Sequence, residues 1–254
     1  MNLLVLAGTE DGRCLASELE SRGHRVWVST LTEYGAQIAM AQGLRTRYGA
    51  LDEEELLGLL QQNLITALID ATHPYAEQVH ELARKVCGKA GIPYLRWERP
   101  QIINDDSPLI HWAAGLEAAG KLACRLGKRI FLSTGSKNLK DWLNIPGFKE
   151  REVFVRVLPK SEVLHECEAL GFQPSRIIAA QGPFTQRFNE ALWEQLKIDV
   201  VITKESGKIG GTEEKVKACL KLGIPIIVLK RPQSEKATPV ETMGEFLKRV
   251  EDLT

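Results

Sequence analysis

The 254-residue chain has no surplus of charge of either sign, since Lys+Arg and Asp+Glu number 33 each. No net field therefore favours nucleic acid or an anionic membrane, and an anionic ligand must be met by local basic groups. Long apolar runs are missing too. None approaches the roughly 18 residues of a membrane span, although 44% hydrophobic residues can supply a substantial core. The five cysteines (Cys14, Cys87, Cys124, Cys167, Cys219) stand singly, each in an expected helix. An odd count without a C-x-x-C pair argues against a disulfide framework and against a metal site, and for reduced thiols in the cytoplasm. Met1 runs directly into Leu3-Leu-Val-Leu6 with no basic leader, so no export signal is expected. Low-complexity tracts and solenoid repeats are also absent.

What is present is an alternation of short apolar runs and helical periodicities. Runs at Leu3–Ala7, Arg25–Thr30, Leu44–Tyr48, Ala67–Asp70 and Ile92–Trp97 read as parallel strands covered on both faces. Asp52 with Glu55 three residues later is a capping-box signal. Residues 101–112 lack helical period and contain Asn104-Asp-Asp-Ser-Pro108, which marks a junction. A second series follows, with a helix at Ala113–Leu126 and strands at Arg129–Thr134, Glu152–Pro159, Arg176–Gly182, Val200–Thr203 and Ile224–Leu229. Ser161, Thr185 and Thr212 read as helix caps, and Thr238-Pro239 opens a last helix. The expected class is α/β: two tandem Rossmann-like βα domains, residues 1–100 and 113–254, with mostly parallel sheets and an interdomain cleft.

The densest stretch in the first series is Leu68-Ile-Asp-Ala-Thr-His-Pro-Tyr-Ala76. Pro74 suits the first turn of a helix, and Val79, Leu82, Ala83 and Val86 trace its inner face. Asp70, Thr72, His73 and Tyr75 thus fall on a strand-to-helix turn, the edge of an open α/β sheet where ligands bind. The plainer alternative is that Asp70 and His73 cap the helix and bond each other.

Four further constellations occupy the same kind of edge. Gly8-Thr9-Glu10-Asp11-Gly12-Arg13 is a glycine turn at a helix start, suited to a phosphate or to ordinary acidic capping. The next strand ends Val28-Ser29-Thr30 without the carboxylate that reads an NAD ribose, which tilts toward NADPH. Thr134-Gly135-Ser136-Lys137 suits an anion or a solvated turn. Gly182-Pro183, within Gln181–Phe184, forms a fixed turn. Thr203-Lys-Glu-Ser-Gly207 with Gly210-Gly-Thr-Glu-Glu-Lys215 has the logic of a phosphate loop without the Walker sequence.

In this order the motifs resemble the precorrin-6A reductase family of cobalamin biosynthesis, which acts on precorrin-6A or cobalt-precorrin-6A. The resemblance is carried by Gly8-Thr9 with Arg13, Ser29-Thr30 with Tyr34-Gly35, Asp70–Ala76, Arg96-Trp-Glu-Arg-Pro100, Gly135-Ser136, Gln181–Phe184, Thr203–Gly207 with Gly210-Gly211, and Arg231-Pro232. It departs at Ala7 and Gly12, both small-for-small exchanges. The resemblance implies hydride transfer from NADPH or NADH to one double bond of a carboxylate-rich macrocycle, with no metal held by the protein. The candidate cofactor residues on these turns are Gly8, Thr9, Glu10, Asp11, Arg13, Ser29, Thr30 and Thr72, joined by Thr134, Gly135, Ser136, Gly182, Thr203, Lys204, Ser206, Gly207 and Gly210. Arg96, Lys137, Lys204 and Arg231 are candidates for substrate carboxylates, and Arg99, Arg156 and Lys160 also fall near strand ends. Asp70, His73 and Tyr75, with Lys204 and Glu205 opposite, are the candidates for shaping proton delivery. A non-catalytic NADPH sensor and a methyltransferase using the Gly8 loop remain alternatives, and no protein partner is evident.

Overall fold

Alternating side chains along each apolar run should meet different layers, because successive strand residues point to opposite faces. The computed structural model, which describes residues 1–97, 103, 106–207, 210–231 and 242–253, shows this directly. The chain forms two compact units, one of Met1–Pro100 with Pro232–Thr254 and one of Gln101–Arg231.

The first unit contains β1 (Asn2–Leu6), α1 (Glu10–Ser21), β2 (Arg25–Thr30), α2 (Glu33–Ala41), β3 (Arg45–Tyr48), α3 (Glu53–Gln62), β4 (Ala67–Asp70), α4 (Glu77–Ala90) and β5 (Tyr94–Arg96). Its parallel sheet has the order β3-β2-β1-β4-β5, with Leu6 level with Asp70 across β1 and β4. Leu3 and Val5 pack with Leu15 and Leu19 of α1 on one face. Leu4 and Leu6 pack with Leu56 and Leu60 of α3 and Val86 of α4 on the other. The capping box at Asp52 and Glu55 forms as the sequence indicates.

The second unit contains β6 (Ile110–Ala113), α5 (Leu116–Leu126), β7 (Arg129–Ser133), α6 (Leu139–Leu143), β8 (Glu152–Val157), α7 (Ser161–Ala169), β9 (Ile177–Ala179), α8 (Gln186–Gln195), β10 (Val200–Lys204), α9 (Thr212–Leu222) and β11 (Ile226–Leu229). Its six strands run in the order β6-β11-β10-β7-β8-β9, and every pairing is parallel. Ile130 and Leu132 face α5 and α6, whereas Phe131 faces Trp193 of α8 and Val216 of α9.

Several expectations need correction. The helix expected from Pro74 begins three residues later, at Glu77, with Ala76 at its cap. Its inner face carries His80, Ala83, Val86 and Cys87, and Val79 is exposed. Ile110–Ala113, placed partly in the junction, is strand β6 paired with β11. Thr212 is the first residue of α9 rather than its cap, a place held by Gly211 at φ 66. The expected opening of the final helix at Thr238-Pro239 lies outside the described residues. The described helix α10 (Met243–Glu251) is capped by Thr242, whose side chain accepts from the Glu245 N–H. Although expected in the second domain, α10 belongs to the first unit, where Phe246, Leu247 and Val250 join the cluster of Leu3, Val5 and Leu19.

Candidate active site

In each unit the chain reverses direction across the sheet at one place, and the carboxyl ends of the flanking strands form a crevice there. In the first unit that place lies between β1 and β4. The turn after β1 carries Gly8 and Thr9, and the turn after β4 carries Ala71–Ala76. Close packing links them, since a Cβ on Gly12 would lie 3.0 Å from that of Ala7 and 3.2 Å from that of Ala71. A glycine at position 12 eases this close helix–strand approach, and a methyl group there would need its neighbours to give by a few tenths of an ångström. Gly8 is under no such constraint, because a Cβ there would meet nothing within 4 Å. Thr9 caps α1 without a side-chain cap bond, and its buried hydroxyl oxygen has no partner among the described residues. Open backbone, an orphaned hydroxyl and a helix N-terminus are features that can receive an anionic group. Glu10 and Asp11 occupy the first turn, so an anion there must approach the backbone rather than their carboxylates.

At the end of β2, Ser29 accepts a hydrogen bond from Arg47 Nη1 at 3.2 Å. Arg47 also donates to the carbonyls of Gly49 and Tyr48, while Thr30 donates to Thr32 O at 2.9 Å. Arg47 is not among the residues expected from the sequence. The signal was its place on β3, beside the strand end that lacks a carboxylate.

Asp70 is fully buried at the end of β4. One carboxylate oxygen accepts from Thr72 N–H at 3.0 Å and Thr72 Oγ1 at 2.6 Å, with Arg96 Nη1 at 2.8 Å. The other accepts from Tyr94 OH at 2.7 Å. Burial, reinforced by Asp70, pushes the Tyr94 hydroxyl far up, so it remains a donor. His80 Nε2 lies 3.0 Å from Thr72 Oγ1. Since Thr72 gives its hydroxyl hydrogen to Asp70, it accepts from His80, which assigns the proton to Nε2. Asp70 is thus an internal anchor for the 71–76 turn, bonded to Thr72, Tyr94 and Arg96. Arg96, expected at substrate carboxylates, is 5% exposed and turned onto Asp70. His73 and Tyr75 sit on the turn that this anchor supports. The Tyr75 N–H donates to His73 Nδ1 at 3.3 Å, and the two rings are 5.5 Å apart.

In the second unit the reversal lies between β7 and β10, which brings Thr134–Lys137 beside Lys204–Gly207. Burial lowers the Lys204 pKa and the neighbouring charge of Lys137 adds to it. Gly135 takes φ 80 and Gly207 φ 73, a region open to glycine at little cost. Thr134 Oγ1 is buried with no partner among the described residues. Ser136 O accepts from the Leu139 N–H at the start of α6. Ser206 N–H donates to Thr212 Oγ1 at 3.1 Å. A Cβ on Gly210 would fall 2.0 Å from Ser206 Oγ, so the loop's own packing requires that glycine. Glu205 is fully buried, accepts the Gly207 N–H and pairs with Arg231. Arg231 is thereby engaged inside the unit, while Lys137 is exposed.

At the adjacent strand ends, Arg156 of β8 is buried. Its guanidinium donates to Asn189 Oδ1 at 2.7 Å and Ser133 Oγ at 2.9 Å, and lies 4.3 Å from the centre of the Phe184 ring. Gly182, joined to Pro183 by a cis peptide, permits this return of Phe184, whose ring would be 3.1 Å from a Cβ at 182. Arg99 and Pro232 lie outside the described residues.

The family model for precorrin-6x reductase, CbiJ/CobK, matches residues 2–251. The chain belongs to this family. A cobalt-precorrin-6A reductase of Salmonella typhimurium is 39% identical over 247 residues, covering 97% of this chain and 91% of that one. Another, from Priestia megaterium, is 33% identical and covers 96% of each chain. A precorrin-6A reductase of Mycobacterium tuberculosis is 32% identical, covering 91% of this chain and 88% of that one. A solved CobK precorrin-6A reductase superposes with a TM-score of 0.77 at 26% identity, covering 100% of this chain and 97% of that one. Membership makes the chain an oxidoreductase of cobalamin biosynthesis acting on a carbon–carbon double bond, and reductases of this family imply a nicotinamide cofactor. Among the described residues, no helix is long and apolar enough to cross a membrane.

Proposed function

We propose that this reductase draws hydride from NADPH to saturate one double bond of a precorrin-6A-type macrocycle, in the cytoplasm. The carrying observation is that the open position at Gly8 and the turn bearing His73 and Tyr75 follow the neighbouring strands β1 and β4 at their carboxyl ends. Thr9, Arg13 and the open amides beyond Gly8 would hold the pyrophosphate, with Ser29, Thr30 and Thr72 lining the same edge. Arg47, beside Ser29, supports a 2′-phosphate in place of the ribose hydroxyl that a carboxylate would read. The bound nicotinamide supplies hydride, and the protein supplies alignment and water exclusion. His73 and Tyr75 are the proton-bearing groups on this turn, and Asp70 and Arg96 position them through the buried network. The cations of the second unit support binding of a polyanionic substrate. Five free thiols, three of them buried, suit a reducing compartment.

The test is titration with NADPH, NADH and adenosylmethionine, following nicotinamide fluorescence and thermal stability. Saturable binding of NADPH in preference to NADH is expected. Arg47→Ala should weaken NADPH by about tenfold and leave NADH little changed, since a charge-assisted phosphate contact contributes roughly 1.5–3 kcal/mol. Binding of adenosylmethionine without either nicotinamide would overturn the reading in favour of a methyltransferase.

A further inference from the structure

Asp70 in the first unit and Glu205 in the second stand at matching places. In each sheet the strand order reverses at the strand that leads into them, β4 in one and β10 in the other. Both carboxylates are fully buried. Each accepts the backbone N–H two residues on, that of Thr72 at 3.0 Å and that of Gly207 at 3.2 Å. Each also pairs with an arginine that arrives on the next strand, Arg96 at the end of β5 and Arg231 just beyond β11. Register accounts for the difference in side-chain length. Asp70 and Arg96 are direct partners across their strands. Glu205 stands one residue past Lys204, and Arg231 two past its partner Leu229, a step that the extra methylene of glutamate spans. Both arginine side chains are almost wholly covered, at 3% and 8% exposure, so loss of either charge leaves its partner uncompensated. The second turn is tied further by Thr212 Oγ1, which accepts from the Ser206 N–H at 3.1 Å and donates to the Lys204 carbonyl at 3.3 Å. The cation carried by this fixed backbone is Lys204, which stays partly exposed.

We propose that Glu205 and Arg231 are a positioning pair: they hold the Lys204–Gly207 turn as Asp70 and Arg96 hold the 71–76 turn, and so fix Lys204 where an anionic group of the substrate docks. The link to the substrate rests on the reading of the second unit's cations as its binding groups; the hold on the turn does not. Neither residue of the pair touches the macrocycle. Arg231 directs its charge at Glu205, and Glu205 serves as acceptor for both Arg231 and the Gly207 N–H, a charge-assisted arrangement that locks both partners in place.

The experiment compares the full chain with Glu205→Gln, Arg231→Met and the double variant, and reads macrocycle affinity by absorbance titration without NADPH, well below each melting temperature. Glu205→Gln keeps an acceptor for Gly207 but removes the charge. The double variant removes both charges, so it leaves no buried ion unpaired where a single variant folds poorly. Each single variant should weaken macrocycle binding about tenfold, and the double variant no more than either, because the two act as one unit. Lys204→Met should weaken it as much and add nothing to Glu205→Gln. At saturating macrocycle the pH profile of kcat should keep its wild-type shape in the pair variants. Loss of kcat with a shifted pH profile in Glu205→Gln alone would make Glu205 a proton carrier and overturn the pair. Weaker binding in Arg231→Met alone would overturn it as well, as direct contact with a substrate carboxylate. So would lower melting temperatures with unchanged affinity, the mark of a merely structural bridge. Hydrogen exchange at the Gly207 amide, faster in all three pair variants, reads the hold on the turn without ligand, and unchanged exchange would contradict it. A wild-type chain that binds no macrocycle would refute the substrate reading, and the exchange result would then decide the hold on the turn by itself.

Discussion

Replacing Asp70 with asparagine keeps the side chain's shape but removes the charge that faces Arg96. The loss leaves a buried guanidinium uncompensated, and about 3–5 kcal/mol of stability should go with it. Denaturant unfolding of Asp70→Asn measures this, and a loss below about 1 kcal/mol would contradict the anchor role. Lys215 carries an opposite prediction. Its pKa falls from 10.5 to about 7 on folding, so between those pH values the unfolded chain binds a proton that the folded chain does not. Wild-type stability therefore gains from this group as pH rises through that window, and the penalty is complete below it. The stability advantage of Lys215→Met over wild type should be largest below pH 7 and shrink toward pH 10.5; a pH-independent difference would contradict it. Asp70 was legible in the sequence as important, but its partners were not. Tyr94 and Arg96 meet it across β5 and His80 from α4, through pairings that only the folded sheet and the phase of the helix determine.

Among the elements, those with full apolar runs were the easiest to read, because a strand buried on both faces leaves no polar alternation. β6 escaped this rule. Its Ile-His-Trp-Ala segment pairs with β11 alone and keeps two half-buried residues and one exposed, so it read as part of a loop. In α4 the expected face was displaced by one residue because His80 finds a hydrogen-bonding partner inside, whereas Val79 needs none outside. The placement of α10 was missed because contiguity in sequence favoured the second domain. Its packing is specific: Phe246 meets Trp97 edge-on at 5.3 Å, and Arg22, the residue that caps the end of α1, reaches Glu251 at 2.7 Å. Phe246→Ala should cost about 3–5 kcal/mol and destabilise the first unit selectively, as read by hydrogen exchange in β1 and α1. Uniform loss of protection across both units would contradict the assignment of α10 to the first.

For the whole molecule, a net charge of zero conceals an uneven distribution. The second unit gathers Lys137, Arg156, Lys204 and Lys215 near neighbouring strand ends, while the first presents a glycine turn with Arg47 beside the end of β2. The motif order along nearly the full length made the family legible, since it records strand ends that recur in a fixed sequence. The division of labour between the two edges was not legible, because glycine–hydroxyl–lysine turns look alike whether they meet a phosphate, a carboxylate or only their own loop. The central claim is tested most directly by mixing the protein anaerobically with NADPH and the macrocycle, in its cobalt-containing and metal-free forms, and following both chromophores together. One NADPH should be oxidised for each macrocycle reduced, with no oxidation when either ligand is omitted. Binding of both ligands without NADPH oxidation would contradict the account.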